Sequence, residues 1–220
     1  MDPHNSLKHP TITRYGAEKP VRAVVLVLHG GRAHSTATTR PWQLSPLRMV
    51  PFARDLHRRG AKDGLEVWRV RNRVRGWNGE QMDALADARY AVQKAATEHP
   101  GVPIFVLGHS MGGLTALAVA SEEPVKAVVA LAPWVDEKTP RNAVSGVDVL
   151  IIHGSTDRIT NPVTSREYAE DVADIARSVE YVPIAGVGHF MLSQYGLWQR
   201  RAADFVLDRL ANLDRERVED

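Results

Sequence analysis

The sequence predicts an α/β fold, a mostly parallel sheet with helices on both faces. Three observations carry this. Short, almost wholly apolar runs recur along the chain, as strands buried on both faces require. Longer segments with apolar residues at helical spacing lie between them. The two kinds alternate, which is how βαβ units build a parallel sheet.

Residues 1–20 are polar, contain three prolines, and read as an N-terminal arm or one short edge strand. "VRAVVLVLHGG" (21–31) is a buried strand that ends in glycines. "SPLRMVPFARDLHRRG" (45–60) reads as one helix stopped by Gly60, and "LEVWRVR" (65–71) as a second strand. "GEQMDALADARYAVQKAATEHP" (79–100) is helical and closes on a proline. "VPIFVLGH" (102–109) is a third strand, followed by a helix after Ser110. "VKAVVALAP" (125–133) and "VDVLIIHG" (147–154) are the fourth and fifth strands. A helix over 162–178, a sixth strand over 179–186 and a last helix over about 193–212 complete the series. No repeat, low-complexity tract or Gly/Ser linker divides the chain. The expected organisation is an arm (1–20), one domain (21–213) and a charged tail (214–220) that frays.

Composition bounds the function. At 220 residues, 44% hydrophobic and 25% charged, the chain has the profile of an ordinary globular domain with a sizeable core. A formal net charge of +2 argues against a dedicated nucleic-acid protein. The absence of cysteine excludes disulfides, thiolate catalysis and Cys-based metal sites. "MDPHNSLKHP" lacks the apolar core of a secretory signal, and no apolar stretch approaches bilayer length. The expectation is a soluble, cytoplasmic protein without membrane partners, monomeric or weakly homo-oligomeric.

The chemistry centres on "GHSMGG", where Gly108-x-Ser110-x-Gly112 falls at a strand-to-helix turn. A nucleophile on such a turn stands clear of the sheet edge, and glycines two residues before and after relieve crowding against the neighbouring strand and helix. The following helix aims its N-terminal N–H groups at the site, where they favour developing negative charge.

A serine hydroxyl needs a base, and the base needs a carboxylate. In a parallel sheet these groups should lie beyond the C-terminal strand ends. Of the nine histidines, His189 in "AGVGHFML" is the only one after the fifth strand, and it is the expected base. His57 and His99 sit near helix C-termini, His4, His9 and His34 in poorly specified segments, and His109 and His153 at strand ends where packing accounts for them. The acid has two candidates, Asp157 in "IIHGSTDRITNP" and Asp136 in "LAPWVDEKTP". Asp157 is favoured by its tight glycine turn and proline-started helix, although an Asx turn would also explain it. The expected oxyanion donors are the N–H groups of Met111 and of Gly31, with Arg32 as the alternative to Gly31.

With these residues in order, the chain resembles the α/β-hydrolase superfamily over about residues 20–212. "LHGG", "GHSMGG", "HGSTDRITNP" and "GVGHF" carry the likeness, with nucleophile, acid and base at Ser110, Asp157 and His189. The last two motifs are similar to those of carboxylesterases, monoacylglycerol lipases and serine-peptidase-like branches. Members with a lid insert a helical cap after the fourth strand, whereas here only "WVDEKTPRNAVSG" separates Pro133 from Val147. The resemblance therefore implies a compact, lidless hydrolase, needing neither metal nor organic cofactor.

Trp42, Trp77 and Trp134 lie in loops expected at the catalytic end, where aromatic walls suit an apolar acyl or alcohol group; Arg32 shares that end. Arg69, Arg71, Arg73 and Arg75 alternate along "WRVRNRVRGWN". The distal ones suit an anionic substrate, and a solvated segment paired with nearby acids is the plainer reading. The expected activity is hydrolysis of small carboxylic esters through an acyl-enzyme. A thioesterase, peptidase or acyltransferase would use the same residues, and a ligand-binding protein on a hydrolase scaffold is the rival from another class.

Overall fold

A computed structural model describes residues 8–219. The first seven residues of the expected arm, His4 among them, and Asp220 lie outside the described residues, as do the side chains of 214–219. Among the described residues, seven strands form one sheet: β1 (Thr11–Tyr15), β2 (Ala23–Leu28), β3 (Leu65–Arg71), β4 (Ile104–His109), β5 (Val125–Leu131), β6 (Asp148–Gly154) and β7 (Ser178–Ile184). Their order is β1-β3-β2-β4-β5-β6-β7. Only β1 is antiparallel, and it pairs with β3 along the edge. The alternative of an edge strand within the first twenty residues is what this segment forms.

Every residue of β2, β4 and β6 is buried, because helices cover both faces. Period-two alternation splits these strands between two cores. Val24, Leu26, Val106 and Ile151 face α3 (Asp83–Glu98), α4 (Met111–Val119) and α5 (Pro162–Asp171). Val25, Val27, Leu107 and Ile152 face α2 (Val50–Gly60) and α6 (Tyr195–Glu219), through Phe52, Leu56, Trp198 and Val206.

Several boundaries differ from the sequence reading. The helix expected over 45–60 is two helices, α1 (Leu44–Arg48) and α2, joined at Met49. Pro51 has no N–H to continue the first ladder, and its ring is accommodated in the opening turn of the second. Residues 79–81 form a 3₁₀ turn, and α3 starts only at Asp83 because Met82 is left-handed, with φ 44°. α5 stops at Asp171, where tight turns through Val172 feed β7. α6 runs on to Glu219 instead of ending near Asn212. Between β5 and β6 there is one 3₁₀ turn, Asn142–Val144, and no α-helical cap. No helix of the described residues is long and apolar enough to cross a membrane.

Candidate active site

The C-terminal strand ends collect the chemically able side chains. Ser110 sits between β4 and α4 with φ 59° and ψ −119°, a conformation that a non-glycine residue adopts only under constraint. Its N–H donates to the Leu131 carbonyl at 2.9 Å, and its own carbonyl accepts from Gly113, Leu114 and Trp134. A Cβ on Gly108 would run into the Gly112 carbonyl, and one on Gly112 would lie 2.7 Å from the His29 carbonyl oxygen. The glycines around the serine are thus required by the close approach of β4, α4 and β2.

The Ser110 hydroxyl donates to His189 Nε2 at 3.0 Å. His189 Nδ1 donates to Asp157 Oδ2 at 2.8 Å, which fixes the neutral tautomer with Nε2 free to accept. Asp157 Oδ1 accepts from the N–H groups of Ile159 (2.7 Å) and Thr160 (3.0 Å), and Oδ2 also accepts from the Thr160 hydroxyl (2.9 Å) and His153 Nε2 (3.2 Å). Burial by itself raises this carboxyl. The donors from His153, His189, Ile159 and Thr160 outweigh it and hold Asp157 well below the usual carboxylate range. Asp136, the other candidate acid, is exposed and closes a local turn by accepting from the Lys138 N–H and the Thr139 hydroxyl.

Three histidines contribute beyond what sequence reasoning assigned. His153 reaches Asp157 and accepts from the Ser165 hydroxyl at 2.9 Å. His109 packs against the His189 ring, with centroids 4.9 Å apart, and its Nε2 donates to the His189 carbonyl at 2.9 Å. His29 donates from Nδ1 to the Gly30 carbonyl (2.7 Å) and accepts the Asn72 N–H at Nε2 (3.0 Å), pinning the glycine loop to the end of β3. Burial pushes His29 down to about 4 and His109 to about 3, so both are neutral. Packing accounts for His109 and His153 only in part. The missed signal was that both end strands flanking the serine and the acid.

The Met111 N–H is the first of α4, one of the donors a helix start leaves without an intrahelical partner. The Arg32 N–H is taken by the Arg75 carbonyl at 2.8 Å, which removes Arg32 as the alternative to Gly31. Gly31 lies directly over the Met111 side chain, with no room for a Cβ.

Two cavities lie near this line of residues. One, of about 850 Å³, is walled by Trp77, Trp134, Met82, Leu85 and Leu114. The Trp134 N–H bonds to the Ser110 carbonyl, so this cavity adjoins the serine turn. The other, of about 550 Å³, is lined by Gly30, Gly31, Arg32, Trp42, Arg48 and Phe190 among others. Trp77 and Trp134 therefore share one cavity, while Trp42, 70% exposed, stands at the second. The arginine series is divided too. Arg73 pairs with Asp83 and Asp87, and Arg71 reaches Thr11 and the Thr39 carbonyl. Arg69 makes a 3.5 Å contact with Thr13, and Arg75 lines the second cavity.

A family model described as serine aminopeptidase, S33 (Hydrolase_4) matches residues 19–147. Human monoglyceride lipase is 32% identical over 104 residues, an alignment that spans 47% of this chain and 31% of the lipase, so the match takes in about a third of that relative. Among solved structures, Est1E from Butyrivibrio proteoclasticus superimposes with a TM-score of 0.68 at 15% identity, covering 91% of this chain and 94% of that one. A monoacylglycerol lipase from Paleococcus ferrophilus gives 0.67 at 17%, covering 91% and 99%. A lidless α/β serine hydrolase from Xanthomonas campestris gives 0.59 at 16%, covering 88% and 93%.

Proposed function

The chain belongs to the Hydrolase_4 (serine aminopeptidase) family of α/β hydrolases, and from that premise we propose that it hydrolyses carboxylic esters with Ser110, His189 and Asp157 as its triad. Ser110 Oγ attacks the ester carbonyl while His189 Nε2 takes its proton. His189 then hands that proton to the departing alcohol, and water clears the acyl-enzyme by the same route. Asp157 holds Nδ1–H and stabilises the imidazolium formed during transfer. The N–H groups of Gly31 and Met111 receive the oxyanion. The cavity walled by Trp77 and Trp134 accepts the apolar part of the substrate.

The single observation that carries this is the unbroken hydrogen-bonded line from Ser110 Oγ through His189 to Asp157. The name of the human relative, a monoglyceride lipase, favours an ester over an amide as the bond cleaved. A fluorophosphonate probe should label the wild-type chain and fail to label Ser110→Ala. That variant should also lose several orders of magnitude of ester turnover while keeping its fold. Turnover of an activated ester within about tenfold of wild type in Ser110→Ala would move the nucleophile elsewhere.

A further inference from the structure

Besides the tryptophan-walled cavity, the cavity over the glycine loop has a charge pattern that ester hydrolysis alone does not require. Its floor is the glycine loop, Gly30 and Gly31, and one wall is Phe190, the residue after His189. This floor touches the serine turn, since a Cβ on Gly30 would lie 3.2 Å from the Ser110 Cβ. Arg32, Arg48 and Arg75 all contribute to the lining, and no Asp or Glu does. Among the described residues none of these three arginines has an ion pair, whereas Arg73 on the same segment as Arg75 is held by Asp83 and Asp87.

Arg48 is the most telling. It is half-buried, and its guanidinium lies 5.0 Å from the Phe190 ring centroid. Burial lowers its pKa from the usual arginine value, and among the described residues no carboxylate pairs with it. The aromatic stack fixes the cation at the cavity wall without neutralising it. A partly desolvated cation left without a carboxylate is costly unless something negative completes it. Guanidinium groups grip carboxylates through paired N–H bonds, and several such groups around one concave space favour one sign of ligand. The Trp42 and Phe190 rings supply an apolar flank for the carbon skeleton that carries the charge.

We propose that this cavity is a subsite for a free carboxylate on the substrate, so that the preferred substrates are acidic esters, with the apolar portion in the tryptophan-walled cavity. This rests on the ester-hydrolase reading above. It also separates two of the alternating arginines of the sequence: Arg73 is paired with Asp83 and Asp87, and Arg75, with no ion pair among the described residues, lines the cavity.

The test uses two matched ester pairs. Mono-4-nitrophenyl adipate and its methyl ester differ by a carboxylate on the acyl side. 4-Carboxyphenyl butyrate and its methyl ester differ on the alcohol side. After division by hydroxide rates, the acidic member of at least one pair should have the higher kcat/KM by about tenfold or more, chiefly through KM. That ratio should fall severalfold in Arg32→Gln and by about tenfold in Arg48→Gln/Arg75→Gln, and it should shrink as salt is raised. A ratio near one in both pairs overturns the subsite, as does a preference insensitive both to salt and to Arg32→Gln. The exposed Arg32 and the salt series keep the test decisive even where the double variant does not fold. Neutral esters cleaved with no acidic preference refute the subsite alone. Failure of every ester together with failure of phosphonate labelling refutes the hydrolase reading and the subsite with it.

Discussion

Asp157 is surrounded by donors on both oxygens, and that determines what its replacement does. Asparagine at 157 keeps the shape but turns an amide N–H₂ or a weaker carbonyl toward His189 Nδ1. The imidazole is then free to adopt the tautomer that cannot take the Ser110 proton. Asp157→Asn should lower ester kcat/KM by about 10⁴-fold with little change in KM, as loss of the triad acid does elsewhere. Asp136→Asn should stay within about threefold of wild type: that carboxylate lines the tryptophan-walled cavity but bonds within its own turn, to the Lys138 N–H and the Thr139 hydroxyl, and not to His189. If Asp136→Asn is the crippled variant, the acid follows β5 and not β6. Ser110, Asp157 and His189 were legible because each sits in a short local pattern at a strand end. The Thr160 and His153 contacts to Asp157 were not, because they exist only once the turn after Gly154 folds back over β6. His29 escaped for a similar reason, since its acceptor and donor partners come from its own loop and from the end of β3.

Among the elements, the β4–α4 turn is the most constrained. A methyl group on Gly108 would meet the Gly112 carbonyl, which is backbone in the first turn of α4 and cannot swing aside as a side chain would. Gly108→Ala should therefore destabilise the fold by about 3 kcal/mol or more, or prevent folding. Gly196, in the first turn of α6, has open space where a methyl group would stand, with nothing within 4 Å, and no positive φ. Gly196→Ala should leave stability unchanged or slightly raised. Urea midpoints for the two variants check this, and equal stabilities would show that α4 can shift to make room. The strands were legible to within a few residues because β-branched and leucine runs bounded by glycine and proline leave little choice. The helix ends were not. Pro51 sits inside a pattern of continuous helical period, and Met82 is left-handed where the Asp83 N–H donates back to the Trp77 carbonyl, a position that carries no glycine to mark the break.

At the scale of the whole molecule, the sheet gathers His29, His109, His153 and His189 at one buried edge, and this couples the site to the stability of the fold. The two-faced core and parallel order followed from alternation along the chain. The carboxylate-free arginine cavity did not, because Arg32, Arg48 and Arg75 come from three separate segments. The buried edge sets a pH dependence. His29 and His109 titrate at about 4 and about 3 in the folded chain, against an ordinary value of 6.5. Below pH 6.5 the unfolded chain takes up protons at these two positions that the folded chain refuses, so unfolding gains as pH falls. The loss approaches about 1.4 kcal/mol per pH unit for each histidine until the folded values are reached. Asp157 acts in the same direction but later: its depressed carboxyl contributes fully above the ordinary carboxylate value of 3.8 and is lost only below it. Acid weakening should therefore begin near pH 6.5, well above the carboxylate range. Urea unfolding at about pH 7.5, about pH 6 and about pH 5 would follow it. His109→Gln, which cannot be protonated, should start from a lower stability at about pH 7.5 and then decline less steeply, by about one proton per molecule. Parallel declines in the two proteins would mean that His109 is accessible to protons in the folded state and that the edge is less closed than its packing against His189 implies.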